Sequence, residues 1–180
     1  MARLRKFAAY RKVERPYTRV SKFRNKSFIR ASPNLKIVRF EMGDPKKEFD
    51  YTLELISKTD LQIRHDAIES ARQTSNRILE KELGKTGYFM KIMIYPFHIL
   101  RENPLASGAG ADRMSTGMKM SFGKPIGAAA QVRKGQKVCI VKVNKEGLEI
   151  AKTALKRASK KMPNSYSILV KENKPVTISG

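Results

Sequence analysis

The chain has 180 residues, with 38 Lys and Arg against 16 Asp and Glu, a formal net charge of +22 and 41% apolar residues. That is apolar content enough for one folded domain with an added arm or loop, and charge enough that a compact chain needs a polyanion to screen it. Nucleic acid is the default polyanion and an anionic membrane surface the weaker one: no run approaches the ~20 apolar residues that span a bilayer, and a single cysteine excludes a disulfide framework or a cysteine-rich zinc site.

Residues 1–34 read as a basic arm. Its first 30 residues hold Arg3, Arg5, Lys6, Arg11, Lys12, Arg15, Arg19, Lys22, Arg24, Lys26 and Arg30, eleven cations against the one acid Glu14. Phe7, Tyr10, Tyr17, Phe23 and Phe28 are interleaved with them, and neither a helical nor a strand period organises the segment. It cannot form a core of its own. Its cations are expected to neutralise phosphates while its aromatics stack on unpaired bases or pack into RNA grooves, so that it orders on RNA and not in the free chain. A solvating tail is the alternative, against which the aromatics weigh. An organellar transit peptide is a second one, which an Arg-rich, acid-poor start can imitate.

Residues 35–180 read as a single α+β domain. Leu35–Phe40 and Tyr51–Ile56 read as strands, with a turn beginning at Gly43-Asp44-Pro45. A helix is predicted from about His65 to Leu83. Ile68, Ala71, Ser75, Ile78 and Leu79 lie on one face, Arg64, Arg72, Arg77 and Lys81 lie on the other, and Gly84 ends it. His65, at the helix start, reads as a capping or RNA-contacting residue. Tyr88–Tyr95 is an apolar strand stopped by Pro96. A second helix is predicted after Asn144, taken as its N-cap, and before Pro163, with a buried stripe of Leu148, Ala151, Leu155, Ala158 and Met162. Lys156, Arg157, Lys160 and Lys161 crowd its last turns, where the helix dipole favours cations. Ser165–Val170 supplies a closing strand. The order predicts helices packed on one side of a mostly antiparallel sheet. Between Pro96 and Met118 the stretch Glu102–Gly117 has three glycines and almost no apolar content, and is either a functional loop or a mobile surface excursion.

Enzyme motifs fail in turn. Gly108-Ala109-Gly110 opens a dinucleotide-like pattern, but Arg113 stands where its third glycine belongs. Gly123-Lys124-Pro125 lacks the hydroxyl residue and the upstream glycine of a P-loop. His65 and His98 have no metal-ligand spacing, and Asp112 is a lone carboxylate better suited to a turn. Cys139, within Val138-Cys139-Ile140-Val141, reads as a buried apolar residue and suits a cytosolic compartment. No catalytic residue, metal site or cofactor is expected.

Arg15-Pro16-Tyr17-Thr18-Arg19, the run from His98 to Pro104, the run from Gly108 to Met118 and Ser121–Pro125 together resemble the ribosomal protein called ten-e in archaea and eukaryotes, whose bacterial counterpart is large-subunit protein sixteen. The resemblance covers essentially the whole chain. It implies an α/β-hammerhead type fold, no enzymatic activity and a place on large-subunit rRNA. The site it implies lies near 5S rRNA, neighbouring ribosomal proteins and the cleft for A-site tRNA. It also implies that the internal loop, here 102–118, points toward the peptidyl-transferase centre and P-site tRNA, with Arg113 as its central cation. The short stretch after the last strand resembles archaeal members and suits a cytoplasmic ribosome.

The expected rRNA-binding residues are therefore the eleven cations of the arm with Tyr17, joined by Arg64, Arg72 and Arg101. The tRNA-facing set implied by the resemblance is Gly108, Gly110, Asp112, Arg113, Met114, Ser115, Gly117 and Lys119. An RNA-processing enzyme with a basic domain and a nucleic-acid chaperone are the rival classes. The first would require a clustered acid, histidine or cofactor site.

Overall fold

A computed structural model describes Leu4 and residues 6–18, 33–102 and 123–173. The strands are β1 (Glu41–Gly43), β2 (Tyr51–Ser57), β3 (Leu61–Arg64), β4 (Tyr88–Ile92), β5 (His98–Glu102), β6 (Lys124–Val132), β7 (Lys137–Val143) and β8 (Tyr166–Glu172). The helices are α1 (His65–Leu83) and α2 (Leu148–Lys161). The class is α+β, as expected, with the strands divided between two antiparallel sheets. One has five strands in the order β1-β4-β7-β2-β8 and the other has three in the order β3-β6-β5.

A shared core joins these layers. Leu53, Leu55, Val141 and Val143 from the large sheet pack with Ile63 and Val132 from the small one, with Ile68 and Leu79 of α1, and with Ala154 and Leu155 of α2. Leu53 and Leu55 of β2 pair across from Val141 and Cys139 of the central strand β7, and all four belong to the core shared with the helices. Close packing is enforced at Gly43, whose φ is +84° and whose absent side chain would fall 2.1 Å from the Tyr88 carbonyl oxygen. The turn after it is held by Lys46 N–H donating to the Asp44 carboxylate at 2.9 Å.

Both predicted helices are present. In α1, Ile68, Ala71, Ser75 and Leu79 are buried, and the Gly84 N–H closes the helix on the Glu80 carbonyl at 3.1 Å. Helix α2 buries Ala151, Ala154, Leu155 and Ala158. It is entered through a short 3-10 turn, Lys145–Gly147, that Asn144 caps with its backbone carbonyl and not with its side chain.

Leu35–Phe40 is not a strand; the strand at this edge is β1, beginning at Glu41. The segment's amides are taken by side chains of α1 instead of a ladder. Lys36 N–H donates to His65 Nδ1 at 3.0 Å and Val38 N–H to the Glu69 carboxylate at 3.3 Å. Backbone donors must be satisfied, and two long-range side-chain acceptors do it here.

Candidate nucleic-acid interface

The described part of the arm lies across the small sheet. Tyr10 is 5% exposed and packs with Leu100 and Ala129, and Leu4 joins the same cluster. Gly127 of β6 makes room for this, since a side chain there would meet Leu4 at 2.9 Å. Farther along, Gln62 donates to the Lys12 carbonyl, and Gln131 donates to the Glu14 carbonyl at 2.8 Å. Tyr17 then bonds twice to the edge of the sheet: its N–H donates to His98 Nδ1 at 2.9 Å, and its carbonyl accepts the Ile99 N–H at 3.0 Å. The arm thereby covers the otherwise open edge of β5. Residues 6–18 are thus held by the body, against the expectation that the arm has no structure without RNA. The tyrosines find apolar partners roughly 80 to 120 residues away, which the arm's own composition could not reveal.

This attachment decides which side chains face outward. The backbone of residues 12–17 is pinned at three carbonyls, while the side chains of Lys6, Arg11, Lys12 and Arg15 remain exposed. Arg11 leans over the Phe7 ring, its guanidinium carbon 5.9 Å from the centroid. Tyr17 does not offer an open ring. It packs against Ile99 and Ala128, and the Arg101 guanidinium lies 3.4 Å from its centroid. Tyr17 thus anchors the arm to the small sheet, with Arg101 stacked on its ring.

The other two predicted cations are engaged within the fold. Arg64 pairs with Asp66 at 3.1 Å, with both side chains 29% exposed. Arg72 is 12% exposed and forks onto the Glu69 carboxylate at 2.6 and 2.8 Å. The Arg72 hydrogen bond holds the Glu69 carboxyl below its ordinary range against the opposing pull of burial. Arg72 therefore orients Glu69, which bonds the Val38 N–H of the 35–40 segment, and its guanidinium also reaches Met42 Sδ of β1 at 3.5 Å. Its helix face looked open in sequence because nothing local indicates that β1 lies beside it. The predicted residues Arg3, Arg5, Arg19, Lys22, Arg24, Lys26 and Arg30, and the loop set from Gly108 to Lys119, lie outside the described residues.

A cationic surface that the sequence reading did not single out lies on the large sheet, on the side away from the helices. Lys91, Lys137, Lys142 and Lys171 project there around Phe89, with Lys142 5.9 Å from the Phe89 centroid. Two acids temper it: Glu41 pairs with Lys91 at 2.6 Å, and Glu54 pairs with Lys137 at 2.7 Å and Lys171 at 3.2 Å. Burial pushes the Glu54 carboxyl up, but the two lysines outweigh it and hold the group below its usual range. The signal was available in the period-two alternation of Met90-Lys91-Ile92 and Val141-Lys142-Val143. Lys156, Arg157, Lys160 and Lys161 of α2 are also exposed.

Neither histidine is placed for catalysis or RNA contact. His65 and His98 are 3% and 7% exposed, and each accepts a main-chain N–H. Cys139 is buried, which pushes its thiol up to about 12. Among the described residues no group of three or more His, Cys, Asp and Glu could hold a metal ion, and no helix is long and apolar enough to cross a membrane.

Comparison with known proteins accounts for this combination of a buried apolar core and a pinned cationic surface. Residues 13–169 match the family described as ribosomal protein L16p/L10e. The chain is 46% identical over 172 residues to a large ribosomal subunit protein uL16 of Methanococcus maripaludis, covering 95% of this chain and 96% of that one. It is 43% identical over 163 residues to the uL16 of Archaeoglobus fulgidus, covering 91% and 90%. With the uL16 of Staphylothermus marinus it shares 46% identity over 160 residues, covering 89% and 88%. The chain belongs to the ribosomal protein L16p/L10e family.

Proposed function

We propose that the protein is a non-enzymatic, structural constituent of the large ribosomal subunit in the cytoplasm, and that it binds large-subunit rRNA through its arm and the cations around the small sheet. The observation that carries this reading is the pinning of residues 12–17. Gln62, Gln131 and Ile99 each hold one carbonyl of the arm, and Arg11, Lys12 and Arg15 stay outside. A cation whose backbone is already fixed loses less freedom on meeting a phosphate, so the body supplies spacing and the side chains supply charge. Recognition then proceeds by RNA shape and unpaired elements, not by a groove code.

The finer placement follows the family resemblance. The arm and the α+β body sit near 5S rRNA and neighbouring ribosomal proteins, at the cleft for A-site tRNA. The loop 102–118 reaches toward P-site tRNA, where Arg113 supplies a charge-assisted contact. The protein's part in peptide transfer is to order RNA, and no side chain enters bond chemistry.

The test is a salt titration of binding to large subunits stripped of their own copy. Changing Arg11, Lys12 and Arg15 together to Gln is expected to weaken binding and to flatten the salt dependence by roughly one slope unit per lost phosphate contact. Weaker binding at the wild-type slope would show that these residues are not on phosphates.

A further inference from the structure

An exposed staircase of rings lies beside the arm. Phe40 stacks on Tyr95 with centroids 5.3 Å apart and planes 24° from parallel, and Tyr95 meets Phe97 at 4.6 Å and 46°. The rings become more open along the series: Tyr95 is 43% exposed and Phe97 is 67% exposed. Neither is needed to close the core. They flank a groove lined by Pro16, Thr18, Pro33, Leu35 and Ile99.

The staircase is stiff. The Phe40 carbonyl accepts the Ile92 N–H at 2.9 Å, and the Met93 N–H donates to the Val138 carbonyl at 2.9 Å, which ties Phe40 and the chain entering Tyr95 to the large sheet. Between the two upper rings Pro96 fixes its own φ, and the Phe97 N–H turns back onto the Tyr95 carbonyl at 3.0 Å. The rings are thus presented with little conformational freedom left to lose.

Charge points to the occupant. Lys36 and Arg39, next to Leu35 and Phe40 in the chain, are exposed, and the nearby acid of β1, Glu41, is paired with Lys91 at 2.6 Å. Arg15, next in the chain to the groove-lining Pro16, is also exposed. Rigid aromatic faces between cations match a single strand, in which bases stack and phosphates need neutralising. We propose that Tyr95 and Phe97 form a stacking platform for unpaired bases of large-subunit rRNA. This deepens the rRNA-binding reading above and rests on it.

The experiment uses the full chain and archaeal large subunits stripped of their own copy by high salt, with Phe97→Ala, Phe97→Leu and Phe97→Tyr. Because Phe97 is exposed, thermal melting is expected to match wild type in all three variants. Loss of a stacked base predicts binding weakened roughly 5- to 150-fold in Phe97→Ala with the salt slope unchanged. Phe97→Tyr restores binding and Phe97→Leu does not, since only the former has a π face. Dimethyl sulfate probing shows the same few unpaired bases newly reactive in the Ala and Leu variants. Wild-type affinity in Phe97→Ala overturns the proposal. Equal rescue by Leu and Tyr, without a change in base reactivity, also overturns it and identifies an apolar protein contact. The Arg11, Lys12 and Arg15 variant separates the two readings: its slope reports phosphate binding by the arm whatever Phe97 does.

Discussion

His98 and His65 do the same work at two joints of the fold. Each presents Nδ1 to a main-chain N–H, Tyr17 in one case and Lys36 in the other, and only an unprotonated nitrogen can accept that bond. Burial holds both imidazoles below their ordinary value, helped by Arg101 at His98 and by Lys36 and Arg64 at His65, against Glu14 and Asp66. The unfolded chain takes up protons as pH falls below about 6.5, whereas the native state resists until its lower pKa values are reached. Stability from these residues is therefore complete above about pH 6.5 and is lost as pH falls from there through the folded values. The carboxyls of Glu54 and Glu69, held below 4.5, act only in a lower window. His98→Asn can accept the Tyr17 N–H through its amide oxygen without titrating. It is expected to reduce the fall in urea midpoint between pH 7 and pH 5, and an unaltered fall would remove His98 from this role.

At the scale of elements, legibility followed the range of the interactions. Helix α1 could be read to its ends because its apolar stripe and its closing Gly84 are local signals. Residues 35–40 could not, because Leu35 and Ile37 alternate as in a strand while the amides of Lys36 and Val38 are taken by side chains about 30 positions away. The arm is the same case with larger consequences. Its charge indicates a polyanion partner, while the attachment of Tyr10 and Tyr17 to the small sheet has no local signal. The aromatics left open for stacking, Tyr95 and Phe97, lie beyond a strand end where sequence showed only a stop at Pro96. Attachment has a measurable consequence. Trypsin is expected to cut slowly after Arg11 and Lys12 in the free folded protein, because opening this stretch breaks its bonds to Gln62, Gln131 and Ile99. Tyr10→Ala removes the buried anchor, costs about 3 kcal/mol, and is expected to accelerate cleavage at both sites. Equal cleavage rates in the two proteins would mean that Tyr10 does not hold the arm.

At the scale of the whole molecule, the two sheets make the body independent of the long internal loop. Strands β5 and β6 are antiparallel neighbours, and their register runs to Glu102 opposite Lys124, so the chain leaves and re-enters the body at one paired position. A few residues suffice to close that hairpin. Replacing Ala106–Thr116 with a short Gly-Ser linker is therefore expected to leave the thermal midpoint of the isolated protein nearly unchanged. The closure entropy changes only slowly with loop length, by less than ~1 kcal/mol. Incorporation into the subunit is expected to survive in part, because Arg11, Lys12 and Arg15 are still held in place. Function at the catalytic centre is expected to fail, as impaired tRNA binding or an incomplete last step of subunit maturation, with Arg113→Ala a milder form of the same defect. The deciding comparison is peptidyl-tRNA affinity and peptide-bond rate on subunits fully occupied by the shortened protein. If both match wild type and maturation is normal, the loop has no tRNA-facing role, and the protein acts through its arm and body alone.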